Sequence, residues 1–167
     1  MATVARFYDE TGFSLNSNVP YGWLSKGSSF SLPAKRGTVI TIAGFIRVNN
    51  EFEGYQSDTA MNAELFVAYI EDFIRRRVTK KTIVILDRAS FHTAAIVEHK
   101  IAEWKQKNLF IQFLPAYCSQ LNLIEILWRF IKHHWLPVSA YQSADTLIDK
   151  LLMILKNIGT KYRINFN

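Results

Sequence analysis

Three acidic side chains stand where a folded chain can bring carboxylates together. Asp9 ends the predicted strand Val4–Asp9, and Asp87 directly follows the continuous apolar run Thr82–Leu86, which is typical of a strand buried on both faces. Glu125 lies in the first turn of a predicted helix that begins near the same edge of the sheet. Carboxylates held close together repel one another, and a divalent cation removes that repulsion. Three oxygen ligands without a cysteine cluster favour Mg²⁺ or Mn²⁺ over Zn²⁺.

Each of these carboxylates also has a purely structural interpretation. An aspartate at the end of a strand, such as Asp9 or Asp87, commonly caps the turn that follows. Asn122 and Glu125 have the spacing of a capping box, and spacing alone favours that role for both. Glu10 is an alternative to Asp9 as a ligand, because successive strand residues face opposite sides of a sheet.

The remaining pattern predicts an α/β domain with the element order β-β-β-α-β-α-β-α-α. Apolar and β-branched segments predict strands over Val4–Asp9, Thr38–Val48, Glu51–Gln56, Thr82–Leu86 and Leu109–Leu114. Apolar residues at helical spacing predict helices near Leu65–Arg77, Thr93–Lys107, Asn122–His134 and residues 147–158. The first three strands are connected by hairpins, and crossovers bring the last two into a mixed five-stranded sheet with helices on both faces. The fourth strand can then lie beside the first, so that Asp9 and Asp87 meet at a topological switch point.

The composition favours a single folded domain over residues 1–167, with 49% hydrophobic and 20% charged residues. Twenty Lys and Arg against fourteen Asp and Glu leave a net charge of +6, which is compatible with nucleic acid. A single cysteine, Cys118, excludes an internal disulfide and a cysteine-based zinc site. The longest apolar runs are too short to span a membrane, and the N-terminus lacks the pattern of a signal peptide. We therefore expect a cytoplasmic protein with no membrane partner.

Four longer strings occur in one order along the chain. They are Tyr8-Asp9-Glu10-Thr11-Gly12-Phe13, Gly22-Trp23-Leu24-Ser25-Lys26-Gly27, Leu86-Asp87-Arg88-Ala89-Ser90-Phe91-His92 and the segment from Leu114 to Trp128. Together they resemble the catalytic domain of the mariner-type DDE transposases, in particular the bacterial insertion-sequence branch. The most specific part is the block Leu-Asn-x-Ile-Glu-x-x-Trp at residues 121–128, followed by Lys132. The resemblance covers nearly the whole chain.

This resemblance implies an RNase H-like fold of the retroviral integrase superfamily. It assigns the catalytic triad, which is also the set of metal ligands, to Asp9, Asp87 and Glu125. Two Mg²⁺ ions are implied, replaceable by Mn²⁺, with Asp9 bridging them. Such enzymes are endonucleases of DNA recombination: they cut at transposon ends and join the freed 3′-hydroxyl to target DNA, typically at a TA dinucleotide. The implied partners are DNA and a second copy of the chain in an active homodimer, with nucleoid association in a bacterial host.

The same resemblance suggests further residues around the triad. His92 and Asn122 are expected to support the carboxylates, and Arg88, Arg129 and Lys132 to contact DNA. Each has a structural alternative: an imidazole can be satisfied inside a helix start, an asparagine can cap a helix, and an exposed lysine is usually only solvated.

Three positions depart from the family pattern. Arg88 stands where the family usually has Asn, and Ser119 and Leu123 stand where it usually has proline, which rigidifies a helix start. Arg88 could face the site and pair with Asp87 or Glu125, or it could face outward and bind a DNA phosphate. We favour the outward arrangement, because adjacent residues of an extended segment point to opposite sides.

Two other functions compete with a transposase core. One is a non-catalytic DNA-binding or dimerisation remnant, which is less favoured because a purely electrostatic DNA binder gains by losing acidic residues. The other is a stand-alone RNase H-type nuclease acting on RNA–DNA hybrids, which needs a fourth carboxylate that the sequence does not identify. The N-terminal helix-turn-helix region of the family is absent from the sequence, so recognition of specific transposon ends is not expected from this chain alone.

Overall fold

The computed structural model describes residues 3–16, 25–29, 37–116 and 118–166. The five strands are β1 (Val4–Ser14), β2 (Thr38–Ile46), β3 (Phe52–Ser57), β4 (Thr82–Leu86) and β5 (Leu109–Phe113). The four α-helices are α1 (Ala63–Arg77), α2 (Ala95–Gln106), α3 (Leu123–Phe130) and α4 (Ala144–Lys156). The motif residues Gly22, Trp23, Leu24 and Tyr117 lie outside the described residues, as does the side chain of Ser119.

The strands form one mixed sheet in the order β3-β2-β1-β4-β5, which confirms the predicted α/β fold and the predicted neighbours of the first strand. β1 is antiparallel to β2 and parallel to β4, and β5 is parallel to β4. The prediction that β1 ends at Asp9 was wrong, because its pairing with β2 continues as far as Ser14. Pairing with β4 stops much earlier, at Phe7 opposite Ile85.

The two faces of the sheet carry separate hydrophobic cores. On one face α1 and α2 close a cluster whose buried members include Tyr8, Phe45, Phe66, Phe73, Leu86 and Trp104. On the other face α3, α4 and the turns between them close a cluster that includes Phe13, Ile42, Ile124, Leu127, Trp128 and Leu151. Because β1 lies between the two cores, alternate residues of this strand point into different surroundings.

Side-chain caps mark the beginnings of α1 and α4, and α3 ends in a change of helix type. Asn62 and Ser143 cap α1 and α4, each accepting the backbone N–H three residues further along the chain. The helix predicted near Asn122–His134 is an α-helix only over Leu123–Phe130 and continues as a π-helical turn at Ile131–Trp135. Within the described ranges, no helix is both long and apolar enough to cross a membrane.

Candidate active site

Asp9 and Asp87 are placed by the central pair of parallel strands. The last paired residues of β1 and β4 are Phe7 and Ile85, and each aspartate lies two positions beyond its member of that pair. Neighbouring strands run about 4.8 Å apart, so the two backbones carry Asp9 and Asp87 to the same edge side by side. Asp9 is still within β1, held by its antiparallel pairing with β2, whereas Asp87 is the first residue after β4.

The pleat of β1 distinguishes Asp9 from Glu10. Tyr8 is buried in the α1–α2 core, whereas Phe7 and Phe13 pack against the α3–α4 core. By the two-residue period of a strand, Asp9 shares the face of Phe7 and Phe13, and Glu10 shares the face of Tyr8. Asp9 is therefore the carboxylate on the face that carries α3, whereas Glu10 lies on the face that carries α1 and α2.

Glu125 lies in the first turn of α3, and α3 lies against β1 and β2. The pKa of Asp9 is raised to about 8, first by burial and then by the negative charges of Glu10, Asp87 and Glu125, with a backbone hydrogen bond from Glu10 in partial opposition. The three predicted triad residues thus act on one another electrostatically. As the side chains stand in the described residues, no three His, Cys, Asp or Glu side chains are gathered closely enough to hold a metal ion.

Asp87 is held by the turn that follows it. Its Oδ1 accepts hydrogen bonds from the backbone N–H of Ala89 at 3.1 Å and from Nδ1 of His92 at 2.9 Å. His92 is 1% exposed, and its Nε2 lies 3.6 Å from Oε2 of Glu10. The imidazole packs among the rings of Tyr8, Phe66 and Phe91. His92 therefore fixes one oxygen of Asp87 from a buried position.

Asn122 does not form the predicted capping box. Its side chain makes no cap hydrogen bond at the start of α3. Instead Asn122 is 1% exposed and its Nδ2 donates to the carbonyl oxygen of Tyr8 at 2.8 Å. The tertiary contact with β1 outweighs the local capping bond that the spacing offers. The contact ties the beginning of the helix that carries Glu125 to the residue before Asp9.

Lys132 reaches β1 on the face of Asp9. Its Nζ donates to Oγ1 of Thr11 at 2.6 Å and lies 5.2 Å from the centroid of the Phe13 ring. Burial lowers the pKa of the Lys132 ammonium group, and the charge of Asp9 opposes that shift. Lys132 is thus a half-buried cation beside the acidic site and not a freely solvated lysine.

The two predicted DNA-contacting arginines are exposed. The guanidinium carbon of Arg88 lies 5.1 Å from the centroid of the Phe113 ring. In the described part of the chain, Arg88 forms no ion pair with Asp87 or Glu125, which corresponds to the outward arrangement. Beside it lies an open notch of about 280 Å³, lined by Asp87, Arg88, Ala89, Leu114, Pro115, Ala116 and Cys118. Arg129 projects from α3 into solvent.

Sequence reasoning missed the role of Gly44, which pairs with Asp9 in the β1–β2 register. A Cβ atom at this position would lie 2.5 Å from the Phe52 ring and 3.2 Å from Trp128. Trp128 packs edge-on to Phe52 and is 4% exposed, so it belongs to the core. An isolated glycine inside an apolar strand is the signal that could have revealed this close approach.

The donor chemistry of the site fits a hard divalent cation. Asp9, Asp87 and Glu125 supply only carboxylate oxygens, and no Lys or Arg forms an ion pair with any of them in the ranges that the structure describes. Burial and the negative charges of Glu10, Asp87 and Glu125 raise the pKa of Asp9, and a bound cation would lower it again.

Two solved structures are similar in fold to this chain. The solved Mos1 transposase paired-end complex with the left transposon end matches 98% of this chain and 49% of that chain at 14% identity, with a TM-score of 0.56. The catalytic core domain of BIV integrase matches 96% of this chain and 85% of that chain at 17% identity, with a TM-score of 0.53. These similarities show the fold, and the chain spans about half the length of the Mos1 protein.

Sequence comparison gives the family. The uncharacterized protein y4pE/y4sA of Sinorhizobium fredii is 27% identical over 66 residues, which is 40% of this chain and 44% of that protein. A sequence model of the family described as DDE superfamily endonuclease matches residues 4–148. The chain therefore belongs to the DDE endonuclease superfamily and has the RNase H-like fold of transposase and integrase catalytic cores.

Proposed function

We propose that this chain is the catalytic core of a DNA transposase, which cleaves DNA strands and transfers them with the help of divalent metal ions. The observation that supports this most is the continuation of two paired parallel strands into Asp9 and Asp87 at one sheet edge. The effect of Asp87 and Glu125 on the pKa of Asp9 adds Glu125 to the same acidic site. Members of the DDE superfamily generally use divalent metals.

Asp9, Asp87 and Glu125 would hold two Mg²⁺ ions. Such a pair of ions, when bound, activates the attacking water or 3′-hydroxyl and stabilises the leaving oxygen of the phosphodiester. The chain itself positions the ligands. His92 and the N–H of Ala89 both donate to Oδ1 of Asp87, which fixes the orientation of the carboxylate and would leave Oδ2 available to an ion.

Asn122 and Lys132 connect the α3 region to β1 beside the same site. Asn122 joins the start of α3 to β1 at Tyr8, so Glu125 and Asp9 keep a fixed relation. Lys132, anchored on Thr11, places a positive charge near Asp9 that can meet the DNA phosphate. Arg88 and Arg129 add exposed cations for further phosphate contacts.

The DNA partner follows from the family and from the name of a structural relative, which is a complex with a transposon end. Cutting at transposon ends, transfer to a TA dinucleotide, action as a homodimer and association with the nucleoid belong to the same proposal. The competing RNase H-type nuclease would need a fourth carboxylate in the site. Glu10 is the nearest in sequence, but it shares the face of Tyr8 and approaches His92.

A nicking assay tests the proposal. Supercoiled plasmid is incubated with wild type, Asp87→Asn and the matched control Asp58→Asn, which alters an exposed aspartate after β3. Wild type and control should nick DNA in Mg²⁺ or Mn²⁺ and not in EDTA, and Asp87→Asn should lose the activity. Equal nicking by all three proteins contradicts the proposal, and preferential cleavage of an RNA–DNA hybrid favours the RNase H-type alternative.

A further inference from the structure

The β5 edge of the sheet carries three cations that have no ion-pair partner among the described residues. Nζ of Lys81 and Nζ of Lys105 lie 5.0 Å and 6.0 Å from the centroid of the Phe110 ring. Arg88 lies in the same way over Phe113, at the other end of β5. Among the described residues, none of these three cations takes part in an ion pair, although eight other basic residues do.

The sheet surface beside this edge is not covered by a helix of the described chain. Leu109, Ile111 and Phe113 face the α1–α2 core, so Phe110 and Gln112 face the opposite side. On that side α3 lies against β1 and β2. The β4 residues paired with Phe110 and Gln112 are Ile83 and Ile85, and neither belongs to the two core clusters. Ile83, Ile85 and Phe110 are partly exposed, and Gln112 is exposed.

The cations flank the β5 edge from its two faces, with Lys81 and Lys105 over Phe110 and Arg88 over Phe113, and they follow that edge away from the acidic site. β4 and β5 are parallel, and both end at the edge where Asp87 begins the active-site turn. Phe110 precedes Phe113 by three residues, so Lys81 and Lys105 lie roughly 10 Å further back along the strand than Arg88, at about 3.3 Å per residue. That distance is about three base-pair steps of a DNA duplex, at about 3.4 Å per step along one strand.

We propose that the β5 edge, defined by Arg88, Lys81 and Lys105, binds the phosphate backbone of the duplex arm next to the bond being cut. The inference rests on the proposed function, because it takes the acidic site as the place of the scissile phosphate. Both lysines occupy the Phe110 ring, which leaves that ring unavailable for stacking on a base. Contact is therefore made to phosphate, independently of sequence.

The Phe110 ring also restricts the two lysine side chains before DNA binds. An ammonium group that rests on a ring has already lost part of its rotamer freedom, so less entropy remains to be lost when a phosphate binds. Two other lysines near Lys105 form ion pairs: Lys100 of α2 pairs with Glu71 and Glu103, and Lys107, which follows α2, pairs with Glu103. They offer a matched control, since their removal changes the net charge equally while leaving the β5 edge intact.

The experiment measures binding of a fluorescein-labelled 30-base-pair duplex in EDTA at several salt concentrations, so that no cleavage occurs. The double variant Lys81→Gln/Lys105→Gln should reduce the slope of log K against log salt by about 1.8, at about 0.9 per lost phosphate contact. Lys100→Gln/Lys107→Gln should change the slope by less than about 0.5. Thermal unfolding of both variants confirms that each is folded.

The outcomes separate this inference from the proposed function. A slope reduced only by the β5-edge variant supports the DNA path even if wild type nicks no plasmid. Equal slopes for all proteins overturn the path even if nicking depends on Asp87, and an equal reduction in both double variants overturns it as a general charge effect. Binding of polyglutamate to wild type, lost in the β5-edge variant while DNA binding is kept, also overturns it in favour of an acidic protein partner.

Discussion

Two groups of acidic residues differ in whether basic side chains pair with them. One group, near β3 and α1, is paired with arginines: Glu51 with Arg6 and Arg47, Glu53 with Arg76 and Arg77, and Asp72 with Arg75 and Arg76. The other group is Asp9, Glu10, Asp87 and Glu125 at the end of the central strands. In the part of the chain that is described, its only ion-pair partner is His92.

The pKa values express this difference. Burial alone would raise the pKa of Glu51, but hydrogen bonds from Arg6 and Arg47 outweigh burial and hold it below its usual value. Among the described residues no arginine donates to Asp9, and burial followed by neighbouring negative charges raises its pKa to about 8. The paired group therefore contributes to folding, whereas the unpaired group keeps a repulsion that protonation or a bound cation relieves.

The largest expected effect concerns activity. Asp9→Asn should reduce metal-dependent plasmid nicking by at least about 100-fold, because it removes a proposed metal ligand. Glu53→Gln, from the paired group, should leave the nicking rate within about twofold once both proteins are assayed below their unfolding temperatures. Initial rates in Mg²⁺ measure both, and a loss of similar size in the two variants would remove the functional distinction between the groups.

The second effect concerns stability and belongs to the paired group. Arg6 is 5% exposed, pairs with Glu51 and lies 5.3 Å from the Phe73 ring centroid. Arg6→Ala should lower the free energy of unfolding by about 2–3 kcal/mol, since it loses ring contacts and leaves a carboxylate unpaired. Urea unfolding measures the change, with Arg47→Ala as the more exposed control. A loss below about 0.5 kcal/mol for Arg6→Ala would contradict the assigned role.

The third effect has the opposite sign. A folded-state pKa of about 8 against a usual value of 3.8 means that Asp9 costs stability, and this cost is absent below pH 4 and grows as the pH rises toward 8. Asp9→Asn should therefore raise the melting temperature in EDTA at pH 8 by about 3–6 °C, for about 1–2 kcal/mol, and not at pH 4. Mg²⁺ should then stabilise wild type but not this variant. A lower melting temperature for Asp9→Asn at pH 8 would show that the ionised Asp9 carboxylate does not destabilise the fold.

The smallest expected effect concerns the most exposed ion pair of the paired group, Arg75 with Asp72. The Arg75 side chain is 77% exposed although it pairs with Asp72. Arg75→Gln should change the free energy of unfolding by less than about 0.5 kcal/mol, because solvent and salt screen such pairs. Comparison of its urea midpoint with that of wild type measures this. A change as large as that of Arg6→Ala would mean that burial does not rank these ion pairs.

The sequence predicted the strand order and the meeting of Asp9 with Asp87, because the buried run Thr82–Leu86 needs a central position and a parallel neighbour. It did not predict the length of β1, since Thr11 and Phe13 gain strand pairing only from β2. Nor could it choose between Asp9 and Glu10. The face of the sheet that each of them occupies depends on which core takes up Tyr8, and that core is closed by helices remote in the chain.

The failure at Asn122 has a related cause. Spacing describes what a residue can bond within its own helix, whereas Asn122 is buried under β1 and its amide bonds to the carbonyl oxygen of Tyr8. The pairing of His92 with Asp87 was easier to anticipate, because both residues lie in one turn. Local partners can be inferred from sequence, and partners more than a hundred residues apart require the fold.

The pleat of β1 also limits how the gene for such a protein can change. Loss of a single codon between Arg6 and Asp9 would shift the strand by one position and exchange the surroundings of every residue that follows. The carboxylate of Asp9 would turn toward the α1–α2 core, where Tyr8 now lies, and Glu10 would be left on the side of α3. Deletion of one residue in this strand is thus expected to be as damaging as loss of the acid itself. Lineages that descend from this chain should vary freely in their loops while keeping the length of this short segment.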